Sequence, residues 1–279
     1  MIPSTLERFL VQASSQYDEN SPESFWCCED AFRELLRAPL IAELFNDQLE
    51  CLLAQADYFG NWGHQQLNVA ESGELIFSVS MLQEPTRYVH TAPFLALYSP
   101  VGRAALNYVR YPLPPAYRNE LFDPELRLAP GEAMVCEPGQ VLRIDARGYA
   151  YDLQPCAGLA LVRLATRPFQ TLTWLFDKQT LKARQANDAE LGATRLRLTA
   201  QLLGRLAQPS SLEPLSQLTR HPHHAVRWAA IQGLGRIDAT VALRHLEAAL
   251  QDPHPHVRQA AATTLERTRA SAPLPPGRS

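Results

Sequence analysis

The chain is poor in the features that mark several large functional classes. No stretch reaches the roughly 18 uninterrupted apolar residues that read as a membrane span. The segment from Met1 to Asn20 has neither the basic start nor the apolar centre of a secretory signal. A cytoplasmic protein without a membrane partner is therefore the expectation. Cysteine is sparse: Cys27, Cys28, Cys51, Cys136 and Cys156 are odd in number and contain no Cys-x-x-Cys spacing, so they are expected to be reduced, mostly buried small hydrophobes. A nucleophilic Cys27 or Cys28 would need a base, and no histidine lies near them in sequence. A phosphate-cradling loop is also missing. Gly233 and Gly235 form a lone Gly-x-Gly inside a helical pattern, without the following glycine and lysine, which argues against nucleotide binding. Nothing in these patterns calls for a cofactor.

Charge of one sign is not in large excess either, since 26 basic and 29 acidic residues give a net −3 over 279 residues. The balance is uneven along the chain. From Ala189 onward eleven arginines face six acidic residues, so this end carries +5 and residues 1–188 carry −8. Six of the eight histidines lie in the same basic end, whose charge would rise towards pH 6.5. Such asymmetry suits an acidic partner. It falls short of the clustered basic footprint of a dedicated nucleic-acid binder.

The periodicity divides the chain into an α+β order. Residues 1–60 read as helical: Ser4 caps a helix carrying Leu6, Phe9, Leu10 and Ala13, Asp30 caps a second with Phe32, Leu35 and Leu36, and a third spans Leu40 to Ala56. Residues 61–178 switch to period two. Strands are expected over 66–71, 75–82, 94–99, 104–111, 133–137, 141–145, 149–153, 159–165 and 171–176. Short strands without long intervening helices imply an antiparallel sandwich or barrel. Hairpin turns are expected at Ser72-Gly73 and Arg147-Gly148. Residues 177–189 read as a connection, 189–269 return to helix, and the proline-rich tail 270–279 is expected to be disordered.

The helical end repeats itself. Ala200-Gln-Leu-Leu-Gly-Arg-Leu206 returns as Ile231-Gln-Gly-Leu-Gly-Arg-Ile237 and as Ala262-Thr-Thr-Leu-Glu-Arg-Thr268, with Leu203, Leu234 and Leu265 each 31 residues apart. A fixed period of this length signals an α-solenoid, whose helical pairs bury their apolar faces against one another. Leu196, Leu202, Leu203 and Leu206 are expected on the buried side of the first copy.

The segments Ala225-Val-Arg-Trp-Ala-Ala-Ile-Gln-Gly-Leu-Gly235 and His256-Val-Arg-Gln-Ala-Ala-Ala-Thr-Thr-Leu265, with the turn Asp252-Pro-His-Pro255, resemble the second helices of HEAT-like repeats. The resemblance implies stacked helical hairpins that serve mostly as binding surfaces. It also brings in enzymatic branches: di-iron hydroxylases built on His-Glu pairs, bilin lyases, and DNA glycosylases. No His-Glu dipeptide occurs in the chain, so the hydroxylase reading has no residues to rest on. The stretch Leu128-Ala-Pro-Gly-Glu-Ala-Met-Val-Cys-Glu-Pro-Gly-Gln-Val-Leu-Arg-Ile144 looks like the second half of a cupin barrel. Where metal-binding cupins place a histidine, this chain has Leu142, and no His-x-His with a following glutamate lies upstream. The implied fold is a helix-flanked, metal-free cupin-like β-domain followed by a short HEAT-like solenoid.

Several residues are candidates for function. Arg205, Arg236 and Arg267 share one repeat position and could grip carboxylates or phosphates, or else complement helix dipoles at their C-termini. Arg227 and Arg258 are expected to serve the fold, with Asp252 as acceptor for Arg258 or its neighbour. His223 and His254 also share a position, beside His221, His224 and His256. Without cysteine or carboxylate at defined spacing they read as solvated turn residues that contact a partner rather than as a metal site. In the β-domain Tyr108, Arg110, Tyr117 and Arg118 could line a mouth for a small acidic ligand, with Tyr108 and Arg110 on one strand face and Tyr111 on the other. The only histidines there are His64 and His90. With Glu120 or Asp123 they could form the open site of a metal-dependent cupin-type oxygenase, an alternative to the leading expectation. That leading expectation is a non-catalytic binding or adaptor protein with an acidic protein partner and room for a small ligand. Weak nucleic-acid binding is a third reading.

Overall fold

The computed structural model describes residues 4–37, 40–54, 62–63, 66–81 and 85–270. The chain divides into two compact units, Met1–Ala189 and Glu190–Ser279.

In the first unit, helix α1 (Ser4–Gln16) buries Leu6, Phe9, Leu10 and Ala13, the stripe its 3–4 residue spacing dictates. A 3-10 turn over Pro22–Cys28 runs directly into α2 (Glu29–Arg37), so Asp30 lies in that helix's first turn instead of capping it. Helix α3 spans Leu40–Ala54. The apolar faces of these helices join Leu75, Phe77, Val79, Leu97, Val162 and Leu164 in one core. A half-buried ion-pair joint adds to it: Glu29 accepts from Arg33 at 2.5 Å and also pairs with Arg143. Burial works against the Glu29 carboxylate, and the two guanidiniums overcome it and hold its pKa below the usual value.

The strands form two antiparallel sheets. One has the order β1 (Trp62–Gly63), β2 (Gln66–Ser72), β3 (Leu75–Met81), β10 (Ala160–Thr166), β5 (Ala96–Val101), β8 (Leu142–Ile144). The other runs β12 (Ala183–Asp188), β11 (Leu172–Asp177), β4 (Tyr88–Thr91), β9 (Tyr149–Gln154), β6 (Leu106–Pro112), β7 (Glu132–Cys136). Leu142, Ile144, Leu161 and Ala165 of the first sheet pack with Leu106, Tyr108, Cys136 and Tyr151 of the second. Among the described residues no strand pairing joins the two sheets, so they stand as two layers and not as a closed barrel. The outer face of the second sheet is covered by the segment 113–128, whose Tyr117, Phe122, Leu126 and Leu128 cluster with Val89, Trp174 and Phe176.

Three strands lie outside the sequence expectations. β1 has two residues, β4 has four, and β12, read as connection, is a polar edge strand paired only with β11. An edge strand needs no apolar alternation to hold its one ladder. The Ser72-Gly73 hairpin forms, with Gly73 at φ +56° and Ser72 opposite Leu75. The Arg147-Gly148 hairpin does not: β8 pairs with β5, and β9 with β4 and β6. That turn carries the chain from one layer to the other, so Ile144 and Tyr151 meet across the core. Only Cys28 and Cys136 are buried, and Cys27 and Cys156 are exposed.

The second unit is helical: α4 (Leu191–Leu206), α5 (Leu212–Leu218), α6 (His224–Ile237), α7 (Ala239–Ala249) and α8 (Pro255–Ala270). α4 and α6 approach at backbone distance, since a Cβ on Gly204 would lie 2.6 Å from Gly233 Cα. This corrects the expected leucine face. Ala193, Ala200 and Gly204 are buried, whereas Leu202 and Leu206 are exposed together with Leu198. Small residues permit the close crossing and turn the leucines away from it. The tail from residue 271 lies outside the described residues. Among those described, no helix is long and apolar enough to cross a membrane.

Candidate functional site

A concavity lies in each unit. In the first unit, His90 on β4 lies opposite Tyr151 of β9 and Leu175 of β11. Directly opposed residues share a sheet face, and Tyr151 packs against the other layer, so His90 faces the space between the sheets. A cavity of about 400 Å³ opens there, walled by Phe94, Tyr98, Ile144, Tyr151 and Leu153 with His90 in its lining. The Nε2 atom of His90 is buried without a hydrogen-bond partner. Burial lowers its pKa against the opposing pull of Asp152, and Asp152 itself lies 2.7 Å from Lys178. Burial therefore favours the neutral imidazole.

The residues proposed from sequence for a ligand mouth do not gather around this cavity. Tyr108 is buried in the inter-sheet core with its hydroxyl 3.3 Å from Met134 Sδ. Arg110 pairs with Glu132 at 3.0 Å and lies over the Tyr149 ring. Tyr111 is on the opposite face, as alternation requires. Tyr117 packs edge-on against Trp174 at 4.9 Å, and Arg118 donates to the carbonyls of Pro115 and Tyr117. Tyr117 and Arg118 thus belong to the segment covering the far side of the sheet. Glu120 and Asp123 lie in that same segment, on the side His90 does not face. His64 lies outside the described residues. Among those described, no group of three or more His, Cys, Asp or Glu is arranged to hold a metal ion.

In the helical unit two turns repeat one device. Arg227 Nη1 donates to the carbonyls of His221 and Pro222 at 2.9 and 2.6 Å. Arg258 Nη1 donates to those of Asp252 and Pro253 at 2.6 and 2.9 Å. Arg227 also forms a bidentate pair with Asp252, at 2.8 and 2.6 Å, with both side chains under a tenth exposed. Burial raises the Asp252 pKa, but hydrogen bonds from Arg227 and the His254 amide outweigh it and hold it low. His221 takes the aspartate's place one repeat earlier, where its Nδ1 accepts from the His223 amide at 3.0 Å. His223 and His254 sit beside these turns, and both are buried, where solvated side chains were expected. Their rings join a stack. His224 and His254 lie 3.7 Å apart at 3°, His223 stacks on His224 at 5.0 Å, and His256 meets His254 edge-on. Parallel rings hold their in-plane nitrogens side by side instead of converging on one point, which is unlike a chelate. Burial, then the neighbouring imidazoles, pushes His224 down to about 4.

Arg205, Arg236 and Arg267 are exposed at or near the ends of α4, α6 and α8. A groove of about 580 Å³ lies between α5 and α7, bordered by Glu213, Gln217, Arg220, Arg244 and His245. Its carboxylates are engaged, Glu213 by Gln217 at 3.1 Å and Asp252 by Arg227. Arg220 and Arg244 are exposed, and both depress the His245 pKa after burial has lowered it. Sequence reasoning missed this pair because it searched for repeated positions. The residues 31 from Arg220 and Arg244 are Gln251 and Glu213.

A family model described as HEAT repeats matches residues 186–273, which identifies the C-terminal helices as HEAT-like. No curated protein matches the chain. Among solved structures, a hydroquinone 1,2-dioxygenase in complex with Cd2+ and 4-hydroxybenzonitrile is similar at 12% identity with a TM-score of 0.30, over 39% of this chain and 68% of that one. Likeness at that level bears on neither mechanism nor substrate.

Proposed function

We propose that the chain is a non-catalytic cytoplasmic binding protein in which a short HEAT-like solenoid docks an acidic segment of a protein partner and a cupin-like two-layer unit accompanies it. The observation that carries this reading is the α5–α7 groove. Its Asp252 is neutralised by Arg227, and the exposed Arg220 and Arg244 outnumber the one other carboxylate of the lining, Glu213, which Gln217 bonds. The exposed row Arg205, Arg236 and Arg267 extends the same sign of charge. Complementary charge of this kind steers encounter and selects against basic competitors.

The test uses the full chain and a fluorescein-labelled peptide of alternating glutamate and leucine, followed by anisotropy. Binding is expected to weaken about tenfold in the Arg220→Ala/Arg244→Ala double variant, the worth of two modest ion pairs, and to fall with added salt. The triple variant at Arg205, Arg236 and Arg267 is expected to lose less. Unchanged affinity in the double variant, or equal binding of a lysine–leucine peptide, would overturn the reading. Tighter binding of duplex DNA at about 50 mM salt would transfer the surface to nucleic acid.

A further inference from the structure

The inter-sheet cavity of the first unit differs from the groove in its chemistry. Among the described residues none of its lining side chains is charged. One guanidinium stands behind this lining: Arg163, opposite Tyr98 in the sheet, lies 5.3 Å from the centroid of the Phe94 ring and donates to Ser78 Oγ at 3.0 Å. Most bordering hydroxyls are already bonded. Tyr151 accepts from the Asp145 amide at 2.9 Å, Thr91 Oγ1 accepts from the Trp174 amide at 2.8 Å, and Thr86 donates to the Tyr88 carbonyl at 2.8 Å. Beside the Tyr98 and Thr173 hydroxyls, His90 presents a buried Nε2 that has no hydrogen-bond partner among the described residues.

We propose that this cavity is a binding site for an uncharged, largely apolar small molecule carrying one hydrogen-bonding group, with Phe94, Ile144 and Leu153 as walls and His90 as its polar contact. The walls decide the class. A charge placed among them would be desolvated without a counter-charge in the lining, since Arg163 lies behind the Phe94 ring and is bonded to Ser78, and that costs far more than aromatic contact returns. A wholly apolar guest would leave the buried imidazole unsatisfied. Volume agrees, since about 400 Å³ falls at the small end of ligand pockets. The site is independent of the helical groove, so failure of either proposal leaves the other standing.

Three probes of one shape test it on the full chain by isothermal titration at pH 7: 2-naphthol, naphthalene and 2-naphthoate. The expected order is naphthol first, naphthalene weaker by about 3- to 10-fold, as one hydrogen bond warrants, and naphthoate undetectable. His90→Phe is expected to bring naphthol down to the naphthalene level, and His90→Gln to restore part of the difference. Leu153→Trp, which fills the cavity, is expected to abolish binding of all three. The ranking on unaltered protein needs no variant to fold. Naphthoate binding as tightly as naphthol, no binding of any probe, or naphthol affinity unchanged in both His90→Phe and Leu153→Trp would overturn the proposal.

Discussion

The two units treat charge in opposite ways. Among the described residues the layered unit lines its cavity without charged side chains, and the ion pair Lys178–Asp152 near His90 is closed on itself. The helical unit buries a complete Arg227–Asp252 pair inside its turns and leaves Arg220 and Arg244 open in its groove. Charge in the helical unit therefore does two separate jobs. Where it is buried and bidentate it joins neighbouring repeats, and where it is exposed and in excess it is available to a partner. The difference teaches that the net charge of a segment says little until each residue is assigned to one of these roles.

The sharpest way to break this contrast is to remove one member of the buried pair. Arg227→Ala leaves the Asp252 carboxylate buried without its partner and also frees the carbonyls of His221 and Pro222. The expected loss is about 3–5 kcal/mol, read as a lowered urea midpoint by far-UV circular dichroism. Arg258→Ala removes only exposed carbonyl contacts and is expected to cost under about 1.5 kcal/mol. Equal losses in the two variants would show that the aspartate pairing adds nothing to the shared carbonyl cap.

A smaller effect separates equivalent positions of the repeated phrase. Gly204 has Gly233 backbone 2.6 Å from where a Cβ would stand, whereas a Cβ on Gly235 would meet Ala242 at an ordinary 3.7 Å. Gly204→Ala is expected to destabilise by about 1–3 kcal/mol through overpacking. Gly235→Ala is expected to be neutral or stabilising by up to about 1 kcal/mol from helix propensity. Thermal unfolding of the two variants side by side checks the sign. The third copy carries Glu266 here, exposed at its own site.

That pair of glycines also marks how far the sequence could be read. The period of 31 located α4, α6 and α8, and Leu234 and Leu265 are buried as the phrase required. Leu202 and Leu206 were misassigned because hydrophobicity outranks glycine in a periodicity count, while the actual α4–α6 contact depends on having no side chain at Gly204. Alternation found most strands. It could not find β12, whose polar residues need only one neighbour, nor the crossing at Arg147-Gly148, where layer assignment depends on pairings distant in sequence. The cavity was the least legible part. His90 stood out only as one of two histidines, and its companions Phe94, Tyr98 and Leu153 come from the β4–β5 connection, β5 and β9, with no shared spacing. The Asp252 pairing was half legible: the acceptor was identified, and Arg227 bonds it side chain to side chain while Arg258 takes its backbone carbonyl.

The smallest expected effect is on pH dependence, and it sharpens the same contrast. His224 is held down to about 4 by burial first and then by the neighbouring imidazoles and Arg227. Its value in the unfolded chain is near 6.5, so between the two the unfolded state binds the proton and the folded state does not. The stability associated with neutral His224 is complete above about pH 6.5 and is lost as pH falls towards 4. His90 is shifted in the same direction by burial, but its neighbours Asp152 and Lys178 act on it with opposite signs. On His224 the neighbouring imidazoles and Arg227 all act in the same direction as burial. The urea midpoint of the full chain is therefore expected to fall between pH 7 and 5, and His224→Phe, which keeps a ring in the stack, to flatten that fall more than His90→Phe. Measuring above pH 5 keeps Asp252 out of the window, since its depressed pKa places its own loss of stability at lower pH. A profile equally flattened by both variants would mean that the crowded imidazoles and Arg227 of the helical turns add nothing beyond burial of a single ring.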